Sequence, residues 1–141
     1  TVIVSDLAGR TYLASVERTV FDEKVGLEDW AVLSSSAAYL LPALPVAKEP
    51  LTLGESVYVF ACPLGLRPLL FQGYYSGMFV PTTETKTDTN GLGFLTRNGD
   101  GGSSGSILLS ARGEAFGVTV IGLTEKVKLQ GLLFVPLETF L

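Results

Sequence analysis

The sequence predicts an all-β fold of antiparallel strands, closed as a barrel or packed as a sandwich. Three observations carry that expectation. The apolar runs are strand-length and rich in β-branched residues. Gly, Pro, Asp or Asn separates one run from the next. No window carries a convincing amphipathic helix.

Taken in order, Thr1–Val4 reads as the middle of a strand. It has neither the basic start nor the cleavage pattern of a signal peptide. A start in mid-strand predicts that upstream residues belong to the same fold. Asp6-Leu7-Ala8-Gly9 forms a hairpin turn into a second strand, Thr11–Thr19. Trp30–Leu33 is a third strand. Ser34–Leu41 is the best helical stretch, and it is short and stops at Pro42. Pro42, Pro45 and Pro50 make Leu41–Leu53 an extended connector, because Pro fixes φ and cannot donate to a ladder. Ser56–Ala61 and Leu69–Phe79 are the next strands. Pro81–Asn90 is a polar surface loop, and no strand is read between Phe79 and Ser106. Ser106–Leu109 and Ala115–Ile121 are joined by a turn at Ala111–Glu114. Gly131–Val135 is the last strand, with a turn of helix after Pro136.

Composition narrows the function classes. The chain has 141 residues, 47% apolar and 17% charged. That is one ordinary domain by size, or two half-domains, and it has ample apolar surface to fold. Net charge is −4 and no basic block is present, so a nucleic-acid partner is not expected. No run approaches the roughly 18 apolar residues of a membrane span. One Cys and no His leave no intrachain disulfide, no Cys- or His-built metal site, and no Ser-His or Cys-His pair within these residues. No cofactor and no metal are expected. Cys62 is read as a small buried apolar residue and Trp30 as core packing.

The segment with most chemistry is Asn98-Gly99-Asp100-Gly101-Gly102-Ser103-Ser104-Gly105-Ser106, which runs directly into Ile107-Leu108-Leu109. A Gly-x-Ser-Gly turn entering a buried strand can hold a Ser hydroxyl outward. It can also aim successive backbone N–H groups at one point. Acyl transfer needs both: a nucleophile and an oxyanion hole. No Lys-Ser/Thr pair follows the glycines, so this is not a phosphate loop.

Gly102-Ser103-Ser104-Gly105-Ser106-Ile107 resembles the active-site turn of the trypsin-like serine proteases, Gly-Asp-Ser-Gly-Gly-Pro, or Gly-Asn-Ser-Gly-Gly-Pro in the HtrA branch. Ser106 and Ile107 depart from that pattern. Leu27–Leu33 is similar to the stretch that carries the triad Asp. Pro42–Ala47 resembles the family connector, and Leu53–Leu66 the HtrA-type stretch Gly-Asp-x-Val-Tyr-Ala-Ile-Gly-Asn-Pro-Leu-Gly. Tyr75–Gly77, Gly113–Val118 and Gly131–Pro136 are similar to strands around the nucleophile.

The resemblance implies two six-stranded antiparallel β-barrels, the first incomplete in this chain. Residues 1–48 would be the C-terminal part of the first barrel, and residues 49–141 the connector end and the second. It implies a serine endopeptidase acting on polypeptides by a Ser-His-Asp mechanism. Ser104 is the implied nucleophile, with Ser103 and Ser106 chemically equal rivals. Asp29 is the implied triad carboxylate, with Asp22 and Glu28 as rivals. The N–H groups of Gly102 and Ser104 would form the oxyanion hole. Val120, Ile121 and Gly122 would pair with an extended substrate. Asn98 would sit at the base of the primary specificity pocket, where the lack of an acid favours small or medium apolar side chains.

In this family the His precedes the Asp, so it is expected upstream of Thr1 or on another chain. No Lys sits at the spacing of a Ser-Lys dyad. The alternative function is a catalytically inactive protease-like module that binds peptides or assembles with partners. Three strands cannot close a barrel. Val2, Val4, Leu13, Val16, Val32 and Leu33 are therefore expected to form an inner face exposed on one side. An upstream segment or a neighbouring chain is expected to complete it, with association or an oligomer as the result.

Overall fold

A computed structural model describes residues 1–21, 29–62, 65, 68–78, 93–96, 104–122 and 131–140. The strands are β1 (Val2–Ser5), β2 (Thr11–Phe21), β3 (Asp29–Ser34), β4 (Ser56–Ala61), β5 (Leu69–Met78), β6 (Gly93–Thr96), β7 (Ile107–Ser110), β8 (Ala115–Gly122) and β9 (Gly131–Pro136). Short 3-10 turns occupy Ala38–Leu40 and Leu137–Thr139. The fold is all-β, as expected. Eight of these strands match the runs read from sequence to within two residues at either end. The ninth, β6, was not anticipated. It is short, begins at a glycine and gives only Phe94-Leu95-Thr96 as a signal. The helix-like stretch before Pro42 is only a 3-10 turn. The expected loop at Pro81–Asn90 lies outside the described residues.

The chain divides into two compact units, Thr1–Ala43 and Leu44–Leu141. The first is a three-stranded antiparallel sheet in the order β1-β2-β3. Its first hairpin is fixed by Asp6. Asp6 Oδ1 accepts from the N–H groups of Ala8 (2.9 Å) and Arg10 (3.0 Å). Asp6 Oδ2 accepts from Arg10 Nε (2.7 Å) and Tyr12 Oη (3.0 Å). An Asp that bonds the backbone two residues on is the local device that makes a turn here.

The register separates the two faces. Val2 lies opposite Ala14, Val4 opposite Tyr12 and Val16 opposite Leu33, all on one face. Ala14 is buried there, but Val16 and Leu33 remain exposed. Leu13 lies opposite Ile3 on the other face, and Val32 lies opposite Arg18 there too. The single inner face expected from sequence is thus corrected. Leu13 and Val32 belong to the second face, because side chains alternate with period 2 and the irregularity between Val16 and Arg18 shifts the register. Trp30 is half-buried, with the Arg18 guanidinium 6.0 Å from its ring centre, and is not part of a core.

The second unit is a closed barrel of six strands in the order β4-β5-β6-β9-β8-β7. β4 shows why it closes. Val57, Val59 and Ala61 alternate inward at 0–1% exposure, while Ser56, Tyr58 and Phe60 point outward. Leu108 from β7, Phe116 from β8, and Leu132 and Phe134 from β9 complete the core. The Phe116 and Phe134 rings meet edge to face at 5.3 Å. Gly117 is required by that contact: a Cβ there would lie 2.5 Å from Phe134 Cδ2 and 3.0 Å from the Val135 carbonyl.

The proline-rich connector is extended, as expected, and it is pinned to the barrel. Val46 bridges Ala115 in parallel. The Ala47 N–H donates to Ala115 O (2.9 Å), and the Ala115 N–H donates to Pro45 O (2.7 Å). At the β7–β8 turn, Ser110 Oγ accepts from the N–H groups of Arg112 and Glu114. Cys62 is exposed just after β4, which corrects its reading as a buried apolar residue. The alternation that buries Val57, Val59 and Ala61 ends with the strand.

Candidate active site

Ser104 and Gly105 form the turn that feeds β7. Gly105 has φ +79°, and a Cβ at that position would meet nothing within 4 Å. Its requirement is therefore backbone conformation, which L-residues rarely adopt, and not space. The turn is stitched to β8 by a reciprocal pair. The Gly105 N–H donates to Thr119 O (2.7 Å), and the Thr119 N–H donates to Ser106 O (2.9 Å).

This pairing sorts the hydroxyls of the turn. Ser106 is buried, while Ser104 is exposed. Ser104 Oγ donates to the Val120 carbonyl at 3.2 Å. That carbonyl is reachable because β8 carries a bulge. Thr119 pairs with Phe134 and Ile121 pairs with Leu133, so Val120 is the extra residue on β8. β7 pairs with β8 only as far as Val118. On the β7 side, Val120, Ile121 and Gly122 therefore have no strand partner among the described residues. The result is an exposed hydroxyl at the head of one strand, beside a stretch of the next that has no partner on that side among the described residues.

Thr119 was not anticipated. Its register opposite the core residue Phe134 places it on the barrel interior, at 1% exposure. Its Oγ1 is buried without a hydrogen-bond partner among the described residues. The bulge at the next residue breaks the alternation, so period 2 alone does not single it out.

The structure thus brings Ser104 and Val120 together, with Ile121 and Gly122 following on the same strand. Asp29 begins β3, opposite Phe21, in the other unit. Gly102 and Asn98 lie outside the described residues, as do Ser103, Asp22 and Glu28. Among the described residues, no cluster of three or more His, Cys, Asp or Glu is placed to hold a metal ion. Among them, too, no helix is long and apolar enough to cross a membrane.

One unit is a closed six-stranded barrel with a serine turn leading into β7, and the other is a three-stranded antiparallel sheet; together they are a partly complete trypsin-like double-barrel fold. The chain belongs to the trypsin-like peptidase domain family, whose model matches residues 3–118. It is similar in fold to the protease domain of MamO from Magnetospirillum magneticum, with 20% identity and a TM-score of 0.68. That match covers 98% of this chain and 71% of the other. It is similar as well to the Rv3671c protease from M. tuberculosis. The active form gives 20% identity and a TM-score of 0.68 over 91% of this chain. The inactive form gives 17% identity and 0.65 over 90%. The chain spans 55% and 60% of those two Rv3671c chains. No curated protein sequence matches it.

Proposed function

We propose that the chain is the nucleophile-bearing part of a serine endopeptidase that cleaves polypeptides by a Ser-His-Asp mechanism. The observation that carries this reading is the Ser104 hydroxyl, exposed at the head of β7 and seated on the Val120 carbonyl of β8. In this reading an extended peptide adds to Val120–Gly122 by main-chain pairing. A His supplied from outside residues 1–141 takes the Ser104 proton as Oγ attacks the scissile carbonyl. The same His then returns the proton to the leaving amine. Asp29 orients that His and stabilises its charged form. The N–H groups of Gly102 and Ser104 receive the oxyanion; losing one such donor costs roughly 10²–10³ in rate in comparable enzymes. Asn98 lines a specificity pocket for small or medium apolar side chains.

Residues 1–48 then belong to a first barrel that further strands must complete, and residues 49–141 to the second. The three-stranded sheet supports this, because among the described residues β1 and β3 each pair on one side only and Val16 and Leu33 are exposed on one face. The completing strands come from the same polypeptide or from a neighbouring chain.

The test is covalent labelling of the intact protein with a fluorophosphonate probe. Wild type should label at one site, and Ser104→Ala should abolish labelling with the fold unchanged by circular dichroism. Labelling that survives Ser104→Ala but is lost in Ser103→Ala moves the nucleophile by one residue. A wild-type protein that never labels overturns the enzyme reading and leaves a non-catalytic, peptide-binding module.

A further inference from the structure

The barrel has a concave site at the end away from Ser104. β7 starts and β8 ends near Ser104; the cavity lies where β8 starts and β9 ends. It measures about 280 Å³. Its floor is aromatic: Phe116 and Phe134 in edge-to-face contact, with Tyr75 tilted against Phe134 at 6.3 Å. One wall is the pinned connector, held by the two hydrogen bonds between Pro45, Ala47 and Ala115. Pro136, Leu137 and Glu138, at the end of β9 and the start of the 3-10 turn, line it as well. The charged residues along its lining are Lys48, Glu49 and Glu138, two carboxylates to one ammonium.

We propose that this cavity binds a small organic cation with a ring-sized apolar body and a single amine, such as an arylalkylamine. Three features select that chemistry. The first is size. A dry apolar cavity of about 150 Å³ accepts benzene, so this one holds a ring with a short chain. The second is the aromatic lining of Phe116, Phe134 and Tyr75, which offers apolar contact to a ring. The third is the rim. Its net negative charge favours an ammonium head over a carboxylate, and the effect is modest and salt-dependent because Glu49 and Glu138 are exposed. The walls are preformed, since prolines and backbone hydrogen bonds hold the connector before any ligand arrives, which lowers the ordering cost of binding. The site is independent of the chemistry at Ser104.

The probes are phenethylamine and phenylpropionate, which share a body and differ in charge, with ethylamine as the head group alone. Binding to the intact protein is read by titration calorimetry at low ionic strength and by ligand-observed NMR. Phenethylamine should saturate one site. Phenylpropionate should bind about 5–10-fold more weakly, and ethylamine should not saturate. Glu138→Gln should weaken phenethylamine about 2–5-fold, an effect lost at high salt. Ala47→Leu, which fills the cavity from the connector wall, should abolish saturation, with circular dichroism confirming the fold. Should Ala47→Leu fail to fold, Met78→Trp supplies the same blockade from β5. Equal binding of the two charged probes overturns the proposal, and so does binding that both filled variants retain. Absence of saturable binding also overturns it, whether water fills the cavity or another segment or a second copy covers its mouth.

Discussion

The barrel and the three-stranded sheet are built from the same vocabulary of short, β-branched strands, yet only the barrel finishes the task. In the barrel, Val57, Val59, Leu108 and Leu132 are fully buried, because six strands close around them. Among the described residues of the sheet, Ala14 is the only buried apolar one, while Ile3 and Leu13 stand about 70% exposed opposite each other. Strand propensity and pairing are present in both units. Closure distinguishes them: a strand ladder satisfies its own hydrogen bonds locally, whereas a core needs strands from all sides.

The largest expected effect follows from that contrast. Leu132→Ala removes a side chain from a closed core and should cost about 2–5 kcal/mol of barrel stability, from lost burial and the cavity left behind. Leu13→Ala, the same change on the open sheet, should stay within about 0.5 kcal/mol. Denaturant unfolding of the two variants checks the comparison. Equal costs would mean that Leu13 is covered in solution, which would itself report the partner or segment that completes the first barrel.

The same contrast explains what was legible in the sequence. β4 and β7–β9 could be read because they are short apolar runs set between Gly, Pro and polar residues, and the barrel buries them. β1–β3 could be read as strands, but not which residues share a face. Leu13 and Val32 were assigned inward because the hairpin register and the irregularity after Val16 are set by pairing, which composition does not encode. β6 was missed because four residues beginning with a glycine give no period. At the site, Ser104 and the Val120–Gly122 edge followed from a motif and its strand. Thr119 and the bulge did not, since a bulge is a relation between two strands and leaves no mark in one.

Thr119 offers a smaller effect of opposite sign, and it tests whether the barrel interior is as complete as its burial suggests. Its Oγ1 is buried and makes no hydrogen bond among the described residues, whereas its register partner Phe134 is core. A buried hydroxyl without a partner carries a desolvation penalty of about 1–3 kcal/mol. Thr119→Val keeps the shape and removes that penalty, so it should stabilise the barrel by about 1 kcal/mol. Thermal and denaturant unfolding measure it. A loss of stability instead would mean that the hydroxyl has a bound water or ligand in solution, beside the turn that carries Ser104.

The smallest effect concerns what holds the open sheet together without a core. Burial of the Asp6 carboxylate pushes its pKa up. The hydrogen bonds it accepts from Arg10 and Tyr12, together with the Arg10 charge, outweigh that and leave it below the usual carboxylate value. A carboxylate depressed on folding stabilises the fold at pH values above its unfolded pKa, and that contribution is lost as pH falls through the folded value. The contribution therefore begins to fall as pH drops through the ordinary Asp value and is gone below the lowered folded value. Protonated Asp6 loses its charge-assisted bond to Arg10 Nε, and the turn loosens. Following amide signals by NMR from about pH 6 to about pH 2 should show Ala8 and Arg10 shifting first, while Val59 and Leu108 hold their positions. Asp6→Asn should shift those two turn amides already at neutral pH and flatten their acid response. If turn and core amides change together in wild type, the two units melt as one, and the independence drawn from their unequal cores is wrong.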